Sequence, residues 1–492
     1  MSEEPVAPTR TDPIAAHLSD RAGGPVGEHA RPHWWWTPVR VVLACCTLLF
    51  VFGTVQRAPC MSTDWNNSSV RYAKMCYSDI PYLYTGRGFA EHQWPYSDAS
   101  RYTAMEYPVG ISVVAWGVSM LTALDPKGPP ENLRAAADKD SLWSMPGMAS
   151  EINEYFVLTL LLLFACALGA SYLLATTNEK RPWDALWFAA TPLLPLAGLV
   201  NWDLLAVVAV AGALWAWARG RPLLAGVCLG LGTAIKLYPL FLLGALLVIA
   251  LRGGDWESRD GDHRDRRVGL ARFAGTAGAA CLTWLIVNAP FYIESPSRWD
   301  YFWSFNSHRG ADLGSLWLVL QDAGLGSSVH TINVVSWLAF GVACIAVLVL
   351  GLRAPNRPTF AQLGFLIVAA FLIVNKVYSP QYVLWLLPLA VLARPRWRDQ
   401  LIWQGCELLY FGAVWIYLGG WLAPSTGTAA PAYDLAILIR VAGELYLAAM
   451  IIRDLWDPRE APGLSSADLD AVEDGGGEAH ARFDLRADLG RA

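Results

Sequence analysis

Charge is what this sequence has least of. Only 16% of its 492 residues are Asp, Glu, Lys or Arg, whereas a soluble protein of this size carries about a quarter. The deficit falls in long apolar stretches, among them Val41–Val55, Phe156–Ala175, Leu204–Trp217, Leu223–Leu251, Thr331–Leu352 and Phe365–Val374. Several approach or exceed the roughly 20 residues with which a helix crosses a hydrocarbon core. Metal and phosphate signatures are missing too. No CxxC or HExxH spacing, no GxxxxGK[ST] loop and no basic helix suited to nucleic acid occurs, so neither a resident metal, a nucleotide cofactor nor a nucleic-acid partner is expected. Cysteine outside the apolar stretches is scarce: of nine, only Cys60 and Cys76 share a hydrophilic loop. If that loop faces an oxidising compartment, a disulfide between them is expected.

Tryptophan, by contrast, is plentiful. Many of the 24 sit at the ends of apolar segments, as do Trp34–Trp36, Trp183, Trp202, Trp299, Trp303, Trp397 and Trp421, where a membrane-interface belt belongs. The chain therefore reads as an all-α, polytopic transmembrane helix bundle in contact with membrane lipids. Residues 1–37 and 457–492 are Pro/Gly- or acid-rich, cannot bury enough apolar surface to fold alone, and read as disordered cytoplasmic ends flanking a transmembrane domain at 38–456.

Orientation follows from the polar connections. Lys180/Arg181, Arg219/Arg221, Arg252–Arg272, Arg353/Arg357 and Arg394/Arg396/Arg398 are basic. They alternate with Asn201–Asp203, Lys236–Pro239, Phe291–His330, Asn375–Gln381 and Ala423–Asp434. The positive-inside rule puts the first set in the cytoplasm and the second outside. The apolar segment Tyr107–Leu124 breaks this parity if it crosses, so it is expected to be re-entrant or interfacial. About 12 spans and a large first extracytoplasmic loop, 57–153, result.

Several residues of the outer level carry chemistry. Asp79 opens a stretch in which Ile80, Leu83 and Tyr84 share a helical face, so it can lie at the membrane surface. A carboxylate there can take a proton from an attacking hydroxyl, although an Asp before a helix is often only its N-cap. Lys236, in AIKLYPLF, and Lys376, in VNKVYSPQY, lie at the mouths of apolar runs. Each is either a phosphate ligand or a snorkelling side chain. His308 and Arg309 form a further candidate pair. Asn201 and Asp203 read first as caps of the following helix, and Glu106 is the other first-loop acid placed to face a pocket.

The run Asp79…Tyr82…Tyr84…Pro95-Tyr96…Glu106-Tyr107-Pro108 resembles the first-loop signature of GT-C glycosyltransferases. It looks closest to polyprenyl-phosphate-mannose-dependent α-mannosyltransferases of bacterial envelope glycolipid synthesis. NWDLLAVVAVAGALWAWARGRPLLAGVCLGLGTAIKLYP, the region of Trp299, His308, Arg309 and Ser315-Leu316-Trp317, and NKVYSPQYVLWLLP are similar to later blocks of that family. Together the blocks cover roughly residues 40–395; the insert 125–153 and the loop 252–269 depart from the pattern. The resemblance implies a GT-C type bundle in a bacterial cell membrane with an extracytoplasmic site. There a sugar, mannose first, passes from a polyprenyl-phosphate donor to a lipid or envelope glycan acceptor. It implies Asp79 as the base, with Glu106, Tyr107, Lys236, Tyr238, His308, Arg309, Lys376 and Gln381 binding substrate. A transporter or flippase of a lipid-linked intermediate is the alternative; the want of an internal repeat argues against it.

The orientation is open to direct test. Cysteines placed at Thr426 and near Asn201 are expected to react with an impermeant thiol reagent from outside the cell, and one at Asp262 is not. Labelling at Asp262 in intact cells would invert the topology.

Overall fold

The computed structural model describes residues 35–253, 263–422 and 429–456. Most of the two terminal segments expected to be disordered, and the Asp262 and Thr426 positions, lie outside the described residues. The longer helices are α1 (Pro38–Met61), α2 (Asp79–Gly86), α3 (Val109–Thr122), α4 (Met148–Thr177), α5 (Asp203–Ala218), α6 (Pro222–Ile235) and α7 (Leu242–Arg252). They continue as α8 (His263–Glu294), α9 (Pro296–His308), α10 (Val329–Arg353), α11 (Phe360–Val374), α12 (Val383–Ala393), α13 (Trp397–Leu418) and α14 (Pro431–Trp456). No strand occurs among the described residues.

Among the described residues six helices are long and apolar enough to cross a membrane, and six more apolar helices have only 10–17 residues. The shorter ones arise where apolar runs are interrupted. The single run Leu223–Leu251 is cut at Lys236, an extended residue that ends α6, and Pro239 lies in the 3₁₀ turn that leads into α7. The segment before α5 is made of three helical pieces, Pro182–Ala185, Leu186–Ala189 and Leu193–Gly198. Irregular backbone inside an apolar bundle is tolerated only where it is buried in protein or lines a cavity.

Close helix approach is built from small residues. Gly226 and Gly230 of α6, in a GxxxG spacing, face α8 so tightly that a Cβ on either would lie 2.2 Å from Thr276 O or 2.5 Å from Ala280 O. Small residues at such spacing let two backbones pack where lipid gives no hydrophobic drive to association.

Helix α1 continues to Met61 and α4 begins at Met148, so helical residues extend into both ends of the first-loop segment 57–153. Arg57, expected to start that loop, is fully buried in α1 and donates to Met75 O (2.9 Å) and Leu196 O (2.6 Å). Helix α3 is held at both ends. Gly110 packs on Ala234 O, and Lys127, just beyond it, pairs with Glu154 in the second turn of α4 at 3.2 Å. The insert 125–153 is clamped by a buried pair, Arg134 Nη1 to Glu151 Oε1 at 2.6 Å; Tyr84 of α2 donates to the same oxygen at 2.6 Å. Breaking such a pair from one side costs about 3–5 kcal/mol. The insert thereby holds α2, which carries Asp79.

Cys60 and Cys76 are disulfide-bonded across a separation of 16 residues, tying the end of α1 to the segment leading into α2. Closing a loop of that order contributes roughly 3 kcal/mol in the chain-entropy treatment. Replacing both cysteines by serine should lower thermal stability accordingly, and reductant should do the same to the parent but not to the variant. An unchanged melting temperature would remove the bond from the stabilising interactions.

Candidate active site

The interrupted segments Val200–Asn201, Ala234–Tyr238, Asn306–Leu313 and Asn375–Tyr382 meet the first loop around a cavity of about 660 Å³. Asp79, Glu106, Tyr107, Lys236, Tyr238, Arg309, Lys376 and Gln381 all line it. These residues come from five separate parts of the chain and share one space.

Asp79 is the first residue of α2 but not its cap. Ser78 caps the helix, accepting from Ile80 N–H at 3.3 Å and donating to Val200 O at 3.2 Å. That frees the Asp79 carboxylate for the cavity. Its Oδ1 accepts from the Tyr77 hydroxyl and its Oδ2 from Asn201 Nδ2, both at 2.8 Å. Burial raises its pKa above the usual carboxylate value, the two donated hydrogen bonds pull it down, Glu106 pushes it further up and Lys236 opposes that. Burial and the neighbouring Asp79 push the Tyr77 phenol well up, so it stays a donor.

The capping expectation for Asn201 and Asp203 is corrected. No side chain caps α5. Asn201, fully buried, also donates to the Tyr107 hydroxyl at 2.6 Å and accepts from Trp202 N–H at 2.6 Å. Asp203 accepts from Trp385 Nε1 at 2.7 Å and places its other oxygen 3.4 Å from Lys236 Nζ. Because Asn201 is buried, a cysteine there has no access to an impermeant reagent.

The cations divide by their partners. Lys236 is only 7% exposed, which excludes snorkelling; beside Asp203, its ammonium lies 4.7 Å from the centroid of the Tyr107 ring. Arg309 places two N–H groups on Asp312 Oδ2 at 2.8 and 2.6 Å. Lys376 donates to two neutral oxygens, Asn306 O at 2.6 Å and Asn333 Oδ1 at 2.5 Å. Burial lowers its pKa, and the charge of Arg309 adds to this. Glu106 is committed to Arg87, which donates through Nε and Nη2 at 3.0 and 2.8 Å. Tyr238 is fully buried and stacks on Trp385 with centroids 4.6 Å apart.

His308 does not join the site. It ends α9 exposed, its Nδ1 against Ser304 O at 2.8 Å. Arg309 then takes extended backbone, which ends the helix and leaves only the arginine of the pair on the cavity wall. Sequence reasoning missed Tyr77, Asn306 and Asn333. For Tyr77 alone there was a signal, its place two residues before Asp79. Two further first-loop acids are used elsewhere: Glu91 holds Arg101 and Tyr102, and Asp98 accepts from Ser295.

A second wall of the cavity is apolar, with Trp303, Trp337, Phe340, Phe371 and Val374. No group of three or more His, Cys, Asp or Glu placed to hold a metal ion occurs among the described residues.

Residues 145–374 match the model of glycosyltransferase family 87. The match spans just under half of the chain and indicates a membrane glycosyltransferase. It includes Lys236 and Arg309 and leaves Asp79 and Lys376 outside its bounds. Comparison with curated proteins finds no match.

The raised Asp79 pKa has a consequence for stability. The folded carboxyl holds its proton more tightly than the unfolded chain does. The stability it contributes is therefore complete below the unfolded value, about 3.9, and is lost as pH rises through the folded one. Asp79→Asn removes that burden, so at pH 7 the variant should melt no lower than the parent, with its advantage shrinking towards pH 4. A clear loss of melting temperature at pH 7 would make Asp79 a structural residue.

Proposed function

We propose that the protein transfers a sugar, mannose in the first instance, from a polyprenyl-phosphate donor to a hydroxyl of a lipid or envelope glycan acceptor. In this reading the chain crosses a bacterial cell membrane about twelve times, and the cavity opens on the extracytoplasmic face. The observation that carries it is the pairing, in one cavity, of a carboxylate held by Tyr77 and Asn201 with Lys376, a cation held by a backbone carbonyl and a side-chain amide. The apolar wall beside them suits a lipid chain.

The step is a single displacement. The acceptor oxygen bonds to the anomeric carbon as its proton passes to Asp79. The bond from that carbon to the phosphate oxygen breaks, and its electron pair leaves with the polyprenyl phosphate, inverting the anomeric centre. The departing charge falls first to Lys376, while Arg309, already paired with Asp312, adds the N–H groups which that pair leaves over. Lys236 is already balanced by Asp203. It steadies Tyr107 and the Asp79 network and adds field to the phosphate rather than forming its main contact. Glu106, held by Arg87, is the poorer base of the two acids.

The test uses membranes containing the protein and a labelled polyprenyl-phosphate mannose. Asp79→Asn should lose transfer by about 10²–10⁴-fold, while Glu106→Gln keeps most of it. Lys376→Met, losing a charge-assisted contact of about 1.5–3 kcal/mol, should fall roughly 10- to 150-fold. If Glu106→Gln is dead and Asp79→Asn active, the base is Glu106. If the parent transfers no sugar but moves a lipid-linked substrate across the membrane, the protein is a transporter.

A further inference from the structure

Below the cavity, between α13 and α14, lies a buried charged cluster that the reaction does not use. Arg440 of α14 is fully buried and is absent from the cavity wall. It pairs with Glu444 Oε1 at 2.7 Å. Charge within a membrane helix is costly and calls for a functional explanation. A pure packing role is better served by apolar residues of similar volume, which often replace a buried ion pair without loss.

What Arg440 touches suggests its task. The segments bearing Arg309 and Lys376 are paired with each other, Asp312 N–H donating to Lys376 O at 2.9 Å and Tyr378 N–H to Leu313 O at 2.7 Å. Arg440 grips both. Its Nη2 donates to Gly314 O at 3.0 Å, and its guanidinium carbon lies 3.6 Å from the centroid of the Tyr378 ring. Helix α13 adds two ties. The Tyr410 hydroxyl donates to Tyr378 O at 2.7 Å, and the Tyr378 hydroxyl donates to Glu407 Oε2 at 2.9 Å. There is no slack: a Cβ on Gly314, which has a φ of +71°, would lie 2.1 Å from the Tyr410 oxygen.

We propose that Arg440, with Tyr410, is a positioning residue that sets the spacing of Arg309 and Lys376 by anchoring the two segments that carry them. The inference rests on the reading of those two cations as the donor-phosphate site. A fixed pair of cations spends no free energy on being ordered when the donor arrives, so loosening the anchor acts on donor binding first. The acceptor side, on Asp79, Asn201 and Tyr107, belongs to other segments and is left alone.

The test compares Tyr410→Phe, Arg440→Lys and Lys376→Met in membranes with labelled polyprenyl-phosphate mannose, varying donor and acceptor separately. Tyr410→Phe keeps the ring and removes the short bond to Tyr378 O together with the longer one to the Tyr433 hydroxyl at 3.3 Å, so it serves even if Arg440→Lys does not fold. One neutral hydrogen bond is worth about 0.5–1.5 kcal/mol, so Tyr410→Phe should raise the donor KM roughly 2- to 12-fold. Acceptor KM should hardly move. In the double variant with Lys376→Met the two effects should be less than additive, since both act on one contact. If Lys376→Met raises the donor KM while Tyr410→Phe and a folded Arg440→Lys do not, the positioning role is wrong and the phosphate site stands. If Lys376→Met leaves the donor KM unchanged, the phosphate site fails and the anchor's role with it.

Discussion

In an apolar medium every backbone N–H and C=O must find its partner inside the protein, and this decides where a membrane helix can stop. Here the chain leaves helix geometry around Asn201, Lys236 and Asn375–Gln381, and at each place something closes the gap. Val200 O takes the N–H of Asp79 at 2.8 Å, and Lys376 O takes that of Asp312 at 2.9 Å. The cavity exists because these interruptions coincide. Continuous helices would fill the same space with side chains and leave no polar surface facing inward.

Charge compensation then separates residues that look alike. Asp79 and Glu106 both line the cavity, yet only Glu106 is held by a guanidinium, leaving Asp79 with two neutral donors. Lys236 and Lys376 divide in the same way, the first beside a buried carboxylate and the second among amide and carbonyl groups. A proton acceptor and an anion site both need a charge that the protein has not already cancelled. In each pair one member meets that requirement.

The segment between α1 and α4 is tied together around α2. Its disulfide ties the segment before α2 to the end of α1, and the Tyr84 bond ties α2 to Glu151, which Arg134 holds in turn. The precision with which Asp79 meets Asn201 is thus inherited in part from residues far away in the chain. The insert 125–153, which departs from the pattern of the resembling enzymes, is part of that support.

Composition alone made the all-helical membrane architecture legible, because apolar runs of this length have no other stable use. Local sequence also marked Lys236 and Lys376, since a charge at the mouth of an apolar run is costly enough to stand out, whereas Asp79 and Arg309 gained their weight from the family resemblance. It could not tell a cap from a ligand. Asn201 and Asp203 carry the residue types of an N-cap, and only the approach of Asp79, Tyr107 and Lys236 from distant segments gives them other partners. Nor could it separate His308 from Arg309, adjacent in sequence but set apart by one change of backbone angle at the end of a helix. Sequence determines what a residue can do chemically. Which of its neighbours cancels, directs or exposes that chemistry depends on contacts between segments far apart in the chain, and those are decided by the tertiary fold.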